Sequence, residues 1–238
     1  MFARKGSVRT LLRHGAIRRT FVSSLETIET LRNKYCALRH GQSKANVAKL
    51  ISSHPEVATV QHGLSPVGIE QATKAGKDTV EYFHGSKTGY DGMVILASDY
   101  LRAKETAEYV AEIVARSDPA ISLLDGGVIL EKDLRERWFG NWDGKPDVHY
   151  PDVWKDDAID ADHTKQDVES VNSVLKRATG CVAMWDERVQ NHLILLVAHG
   201  DVLQITQTAF ARIDGTLHRT LPHLETATLR PLELADKP

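Results

Sequence analysis

The chain of 238 residues contains only two cysteines, Cys36 and Cys181, in separate apolar segments. They cannot form a disulfide framework, and such sparse use suits a reducing compartment. No apolar run approaches the ~20 residues needed to cross a bilayer, so no membrane-spanning helix is expected. There is no net excess of either charge: the formal value of −2 argues against nucleic acid as the main partner. The eleven histidines show no His-Glu-x-x-His pattern and there is no Cys-x-x-Cys pair, so neither metal nor another cofactor is expected. One sign of charge is missing locally. No Asp or Glu precedes Glu26, whereas Arg4, Lys5, Arg9, Arg13, Arg18 and Arg19 all do. Ser7, Thr10, Thr20, Ser23 and Ser24 stand between them, with Leu11, Leu12, Ile17, Phe21 and Val22. An Arg-rich, Ser-rich, acid-poor start is the composition of an organellar transit peptide. Residues 1–30 therefore read as a basic extension, with a mitochondrial or plastid address as the expectation. A plain basic tail or a misplaced start site on a cytoplasmic protein is the alternative.

Hydrophobic residues make up 42% of the chain, enough for a substantial core. From residue 31 to 238 apolar runs alternate with helical patterns. KYCALRHG, GMVILASD, ISLLDGGVIL and HLILLVAHG read as strands, and ATLRPLEL as an edge strand. SPVGIEQATKAGKDTVEYF reads as a helix capped by Ser65 with Pro66 in first position. YLRAKETAEYVAEIVARS, DVESVNSVLKRATGCVAMWDERV and DVLQITQTAFARI follow as further helices. This alternation predicts one α/β domain: a three-layer α/β/α sandwich, its sheet mostly parallel with one antiparallel edge strand. The segment from Lys145 to Gln166, rich in Asp, Pro and His, reads as a surface excursion.

Leu-Arg-His-Gly occurs twice, around His14 and around His40. In open α/β sheets ligands gather beyond the carboxyl ends of strands. Tyr35–Leu38 is such a strand, and Arg39-His40-Gly41 falls at its end, ahead of helix-compatible SKANVAKLI, where free backbone N–H groups can meet an anion. His14 has no strand before it, because Arg9 and Arg13 flank Leu11 and Leu12. It reads as an accident of the basic leader. A lone histidine is more often structural than catalytic, but His199-Gly200 closes a second apolar strand, and two such histidines can meet over one sheet edge.

Four segments in order, LRHGQSKAN, ASDYLRAKETA, LRERWFGNWDG and VAHGD, with the weaker HGLSPVGIEQA, resemble the histidine phosphatase superfamily, which includes cofactor-dependent phosphoglycerate mutase. The likeness covers roughly Asn33 to Leu232. Residue chemistry agrees with it. A phosphoryl group in transfer needs fixed positive donors, and Arg39 and Arg102 each offer a planar fork matched to phosphate. A neutral imidazole attacks phosphorus well, making His40 the candidate nucleophile. The resemblance implies that His199 is the second histidine, bonding the phosphoryl oxygens, and that Gln42, Ser43, Asn46 and Gly200 line the substrate pocket. A departing alkoxide needs a proton from an acid with a pKa near working pH. The family's donor aligns with Glu136, with Glu131 and Asp133 as nearby alternatives. The Asp that some relatives use just after the second Arg motif is absent: Lys104, Glu105 and Thr106 stand there.

The remaining histidines, His54, His62, His84, His149, His163, His192, His218 and His223, read as surface or loop residues. His62 and His149 lie within conceivable reach of the pocket. The Lys145–Asp167 excursion holds six Asp before Thr164 and no Arg-Arg pair. An acidic lid disfavours a phosphoglycerate carboxylate. Hydrolysis of a small phosphomonoester is therefore the expected activity, with a mutase-like phosphotransferase as the alternative. A catalytically silent phospho-ligand-binding domain is the third reading.

Overall fold

The structure is a computed structural model that describes residue 25 and residues 28–86 and 89–237. His14 and the proposed address segment lie outside the described residues. Five strands and seven α-helices are present among them: β1 (Lys34–Arg39), α1 (Lys44–Val47), α2 (Pro55–Ala58), α3 (Pro66–His84), β2 (Gly92–Ala97), α4 (Leu101–Ser117), β3 (Leu123–Leu130), α5 (Tyr150–Asp157), α6 (Val171–Arg188), β4 (His192–Ala198), α7 (Gly200–Ala211) and β5 (Leu229–Leu232). The strands form one sheet in the order β3-β2-β4-β1-β5. β1, β2, β3 and β4 run parallel, and β5 pairs antiparallel with β1 at the edge, as expected.

The apolar runs are continuous because the central strands are covered on both faces. Side chains alternate between the two. Tyr35, Ala37, Val94, Leu96, Ile194 and Leu196 join a core with α6 and α7. Cys36, Leu38, Met93, Ile95, Leu193, Leu195 and Val197 join a second core with α3 and α4. This makes the three layers. β3 is more exposed and irregular: Asp125 and Gly126 take left-handed backbone at φ 52° and 74°, and its register against β2 shifts between Met93 and Ile95.

Three expectations change. The helix after His40 is only the four residues of α1. The excursion is no surface loop: Val153 of α5 is buried with Ile51, Phe139 and Val168 in a third apolar cluster. The basic extension does not end at residue 30 in packing terms. Leu25 is fully buried in the core with α6 and α7, and Arg212 donates to the carbonyl of Ile28 at 2.6 Å. A chain shortened through residue 28 should therefore lose about 2–5 kcal/mol of unfolding free energy, the cost of vacating a buried leucine site. Urea unfolding measures this, and unchanged stability of the shortened chain would put Leu25 outside the cooperative core.

Candidate active site

The register of the sheet assembles the site. Arg39 lies opposite Ala198, and the His40 N–H donates to the Ala198 carbonyl at 2.9 Å. The two strand ends therefore release His40 and His199 side by side, with ring centroids 5.2 Å apart. β2 neighbours β4 on the other side and contributes Ser98, Tyr100 and then Arg102 in the first turn of α4. β3 ends beside β2, where Glu131 N–H bonds the Ala97 carbonyl, and the chain then runs through Lys132–Leu134 to Glu136. Four carboxyl ends of parallel strands thus deliver the predicted residues to one place.

His40 is almost fully buried. Its Nδ1 lies 2.7 Å from the Gly41 carbonyl, which can only accept, so Nδ1 carries the proton. Nε2 then presents its lone pair and accepts from Arg102 Nε at 3.1 Å. Burial, then Arg102 and Arg39, hold the His40 pKa well below its ordinary value, so the ring stays neutral. His199 is held down in the same direction by burial, Arg102 and His40. Its Nε2 meets Ser98 Oγ at 2.9 Å.

The donors around His40 are only partly used. Arg102 gives Nη2 to the Ser52 carbonyl at 3.0 Å, and Arg39 gives Nη1 to the Leu224 carbonyl at 3.0 Å. Arg102 Nη1, Arg39 Nε and His199 Nδ1 are buried and have no hydrogen-bond partner. Buried polar nitrogens are costly when unpaired, and three of them around one neutral imidazole form a cradle for an oxyanion. Gly200 fits this arrangement because a β-carbon there would stand 3.3 Å from the Arg39 guanidinium carbon. The N-terminus of α7 begins at the same point and adds its positive end.

Glu136 is 9% exposed and its Oε1 accepts from the Arg137 N–H at 3.0 Å. Burial, followed by the negative charge of Asp201, raises its pKa to about 7, against the opposing pull of Arg102 and Arg39. The other two acids point elsewhere. Glu131 accepts from Trp185 Nε1 on α6 at 2.8 Å, and Asp133 is exposed. The segment bearing Glu136 is pinned by paired bonds from Arg135 to Asp99 at 2.7 and 2.6 Å.

Ser43 and Asn46 are brought to the loop but are spent on each other, as a capping box for α1. Ser65 Oγ donates to the Gln42 amide oxygen at 2.8 Å, so all three shape the loop through local bonds. That loop rests on α3: a β-carbon at Gly41 would stand 2.6 Å from the Gly68 carbonyl oxygen. Thr106 holds the same turn, accepting from the Gly41 N–H at 3.0 Å and donating to the Arg102 carbonyl at 2.6 Å.

Several residues of the site were not singled out by sequence. Tyr150 sits in the electrostatic field of Glu136, Arg102, Asp201 and Arg39, and burial pushes its phenol pKa up. It stacks on Trp154 at 5.5 Å, and Arg219 lies 3.7 Å over the Trp154 ring. The apolar spacing Tyr150, Val153, Trp154 is the helical signal inside the Asp-rich excursion that could have revealed α5. His62 bonds Ser52 Oγ at 2.8 Å beside Arg102, whereas His149 stacks on Trp142 and pairs with Asp152. His163 and His218, expected as surface or loop residues, are buried against Asp157. Asp157, Asp201 and His218 offer ligand atoms within 4.8 Å of one another. The Arg137 guanidinium already bonds both carboxylates, so a side-chain cation fills that acidic cluster.

Four of the excursion's six Asp before Thr164 have side-chain partners. Asp152 pairs with Lys155, Asp156 with Lys165 and Asp157 with Arg137, while Asp162 accepts from Asn172. Pairing with cations at Asp152, Asp156 and Asp157 reduces the repulsion that the excursion exerts on an acidic substrate.

Comparison with known proteins was consistent. The profile of the histidine phosphatase superfamily (branch 1) matches residues 35–237. The uncharacterized phosphatase PhoE of Bacillus subtilis is 24% identical over 85% of this chain and 89% of its own length. The broad-specificity phosphatase YOR283W of Saccharomyces cerevisiae is 27% identical over 71% of this chain and 66% of its own. The mycobacterial glucosyl-3-phosphoglycerate phosphatase Rv2419c superposes with a TM-score of 0.62 at 23% identity, covering 83% of this chain and 88% of that one.

Proposed function

The chain belongs to the histidine phosphatase superfamily and is a phosphatase, and on that premise we propose that it hydrolyses small phosphomonoesters through a phosphohistidine at His40, without a metal. The observation that carries this is the neutral His40 Nε2 surrounded by three unpartnered buried nitrogens. In the first step the Nε2 lone pair bonds to phosphorus as the P–O bond to the alcohol breaks, and Glu136 gives its proton to the leaving oxygen. In the second, water attacks phosphorus, Glu136 takes the water's proton, and the N–P bond returns its electrons to His40. Arg39, Arg102 and His199 stabilise the charge on the equatorial oxygens throughout.

Names of relatives support a phosphomonoester as the substrate class. Hydrolysis of p-nitrophenyl phosphate should be unchanged by EDTA, since guanidinium and imidazole groups carry the charge work. Activity that vanishes in EDTA and returns with a divalent cation would replace this scheme with a metal-assisted one. A folded protein with no hydrolysis of any ester would favour a silent binding domain.

A further inference from the structure

Arg137 follows the acid in sequence and is fully buried, and its guanidinium bonds Asp157, Asp201 and the Glu169 carbonyl. Its Nη1 and Nη2 make paired bonds to the two oxygens of Asp157, both at 2.7 Å. Nη1 also reaches Asp201 Oδ2 at 3.2 Å, and Nε donates to the Glu169 carbonyl at 2.6 Å. Asp157 is the last residue of α5, and Asp201 lies in the first turn of α7, two residues after His199. Two further bonds brace the carboxylates: His163 Nε2 meets Asp157 Oδ1 at 2.7 Å, and Trp154 Nε1 donates to Asp201 Oδ1 at 2.9 Å. A planar fork held at this many points fixes the backbone of its own residue.

That backbone matters because the Arg137 peptide N–H donates to Glu136 Oε1. A peptide N–H cannot accept, so Oε1 must be the accepting oxygen, and the proton of the neutral carboxyl belongs on Oε2. Burying an ion pair is weak grounds for stability, since apolar packing often does as well, so this cluster calls for another role.

Resting on the reading of Glu136 as the acid, we infer that Arg137, clamped by Asp157 and Asp201, is a positioning residue that presents the Oε2 proton of Glu136 to the leaving oxygen. Because Asp157 and Trp154 belong to α5, the clamp also makes correct alignment of the acid depend on the seating of that helix. The step it serves is proton transfer from Oε2 to the alcohol oxygen as the P–O bond breaks.

The test uses Asp157→Asn, which keeps the volume and one accepting oxygen but breaks the paired bond. It is measured on an alkyl phosphate and on p-nitrophenyl phosphate, alone and in a Glu136→Gln background. Misalignment of a catalytic group from a distance costs up to about a hundredfold, so kcat/KM on the alkyl ester, which reports the first step, should fall at least about tenfold while kcat/KM on the aryl ester stays within about twofold. In the Glu136→Gln background the same change should add no further loss on the alkyl ester, because it acts only through that carboxyl. Parallel losses on both esters, or losses that add fully to those of Glu136→Gln, would make the cluster mere scaffolding and overturn the inference. Glu136→Gln measured alone separates the two failures: equal losses of kcat/KM on both esters there would reject the acid itself. If Asp157→Asn does not fold, Arg137→Lys carries the same expectation, since it keeps the charge and removes the fork.

Discussion

Replacing His40 with alanine should eliminate turnover, by on the order of 10⁴-fold or more, as loss of a covalent nucleophile typically does. The expectation follows from the protonation state. Nδ1 is tied to the Gly41 carbonyl, Nε2 carries the lone pair, and burial beside two guanidiniums keeps the ring from taking a second proton. Among the described residues no other group offers the same combination. His199 meets Ser98 through Nε2 and so lacks a carbonyl that would fix its tautomer. The variant should fold, because the imidazole contributes no large apolar packing. Steady-state hydrolysis of p-nitrophenyl phosphate with circular dichroism of the same sample tests it. Folded protein that retains a tenth of its activity would move the nucleophile elsewhere.

Glu136→Gln should slow alkyl phosphates by about a hundredfold or more, the usual contribution of a general acid. In kcat/KM, which reports the first step alone, aryl phosphates should lose far less, because nitrophenolate leaves without help. The pH dependence has a definite sign. Only the protonated carboxyl can donate, and burial raises its pKa to about 7. For alkyl esters kcat/KM should therefore decline as pH rises through about 7, and the decline should vanish in the Gln variant. On the acid side His40 and His199 remain neutral well below the ordinary imidazole range, so the nucleophile is not the first group to be lost. A pH profile with the same upper limb in both proteins would assign that limb to another group.

Much of this architecture is legible because one physical feature, burial on both faces, writes itself into the strands. HLILLVA reads as a strand, and the structure places it at the centre of the sheet; the Arg-His-Gly and His-Gly that follow the two apolar runs fall at adjacent carboxyl ends for that reason. Ser65 and Pro66 mark the start of α3 by their chemistry alone. What stays hidden is whatever depends on partners distant in sequence. Asp157 looks like a solvated acid until Arg137 is found against it, and His218 looks like a loop residue until α7 packs over it. Tyr150 belongs to the site only because α5 folds back over Phe139. Conversely, Ser43 and Asn46 have the residue types of a ligand pocket, but a capping box satisfies both. Leu25 shows the same limit at the other end: nothing in a basic leader announces which of its leucines enters the core.

The central claim is that phosphoryl transfer passes through one nitrogen of one histidine. Rapid quenching during turnover into base, which preserves phosphohistidine, followed by peptide mapping by mass spectrometry, tests it most directly. The account predicts a phosphoryl group on His40 that disappears on brief acid treatment and is absent from His40→Ala. A phosphoryl group found on His199 instead, or full turnover with none on any histidine, would contradict it.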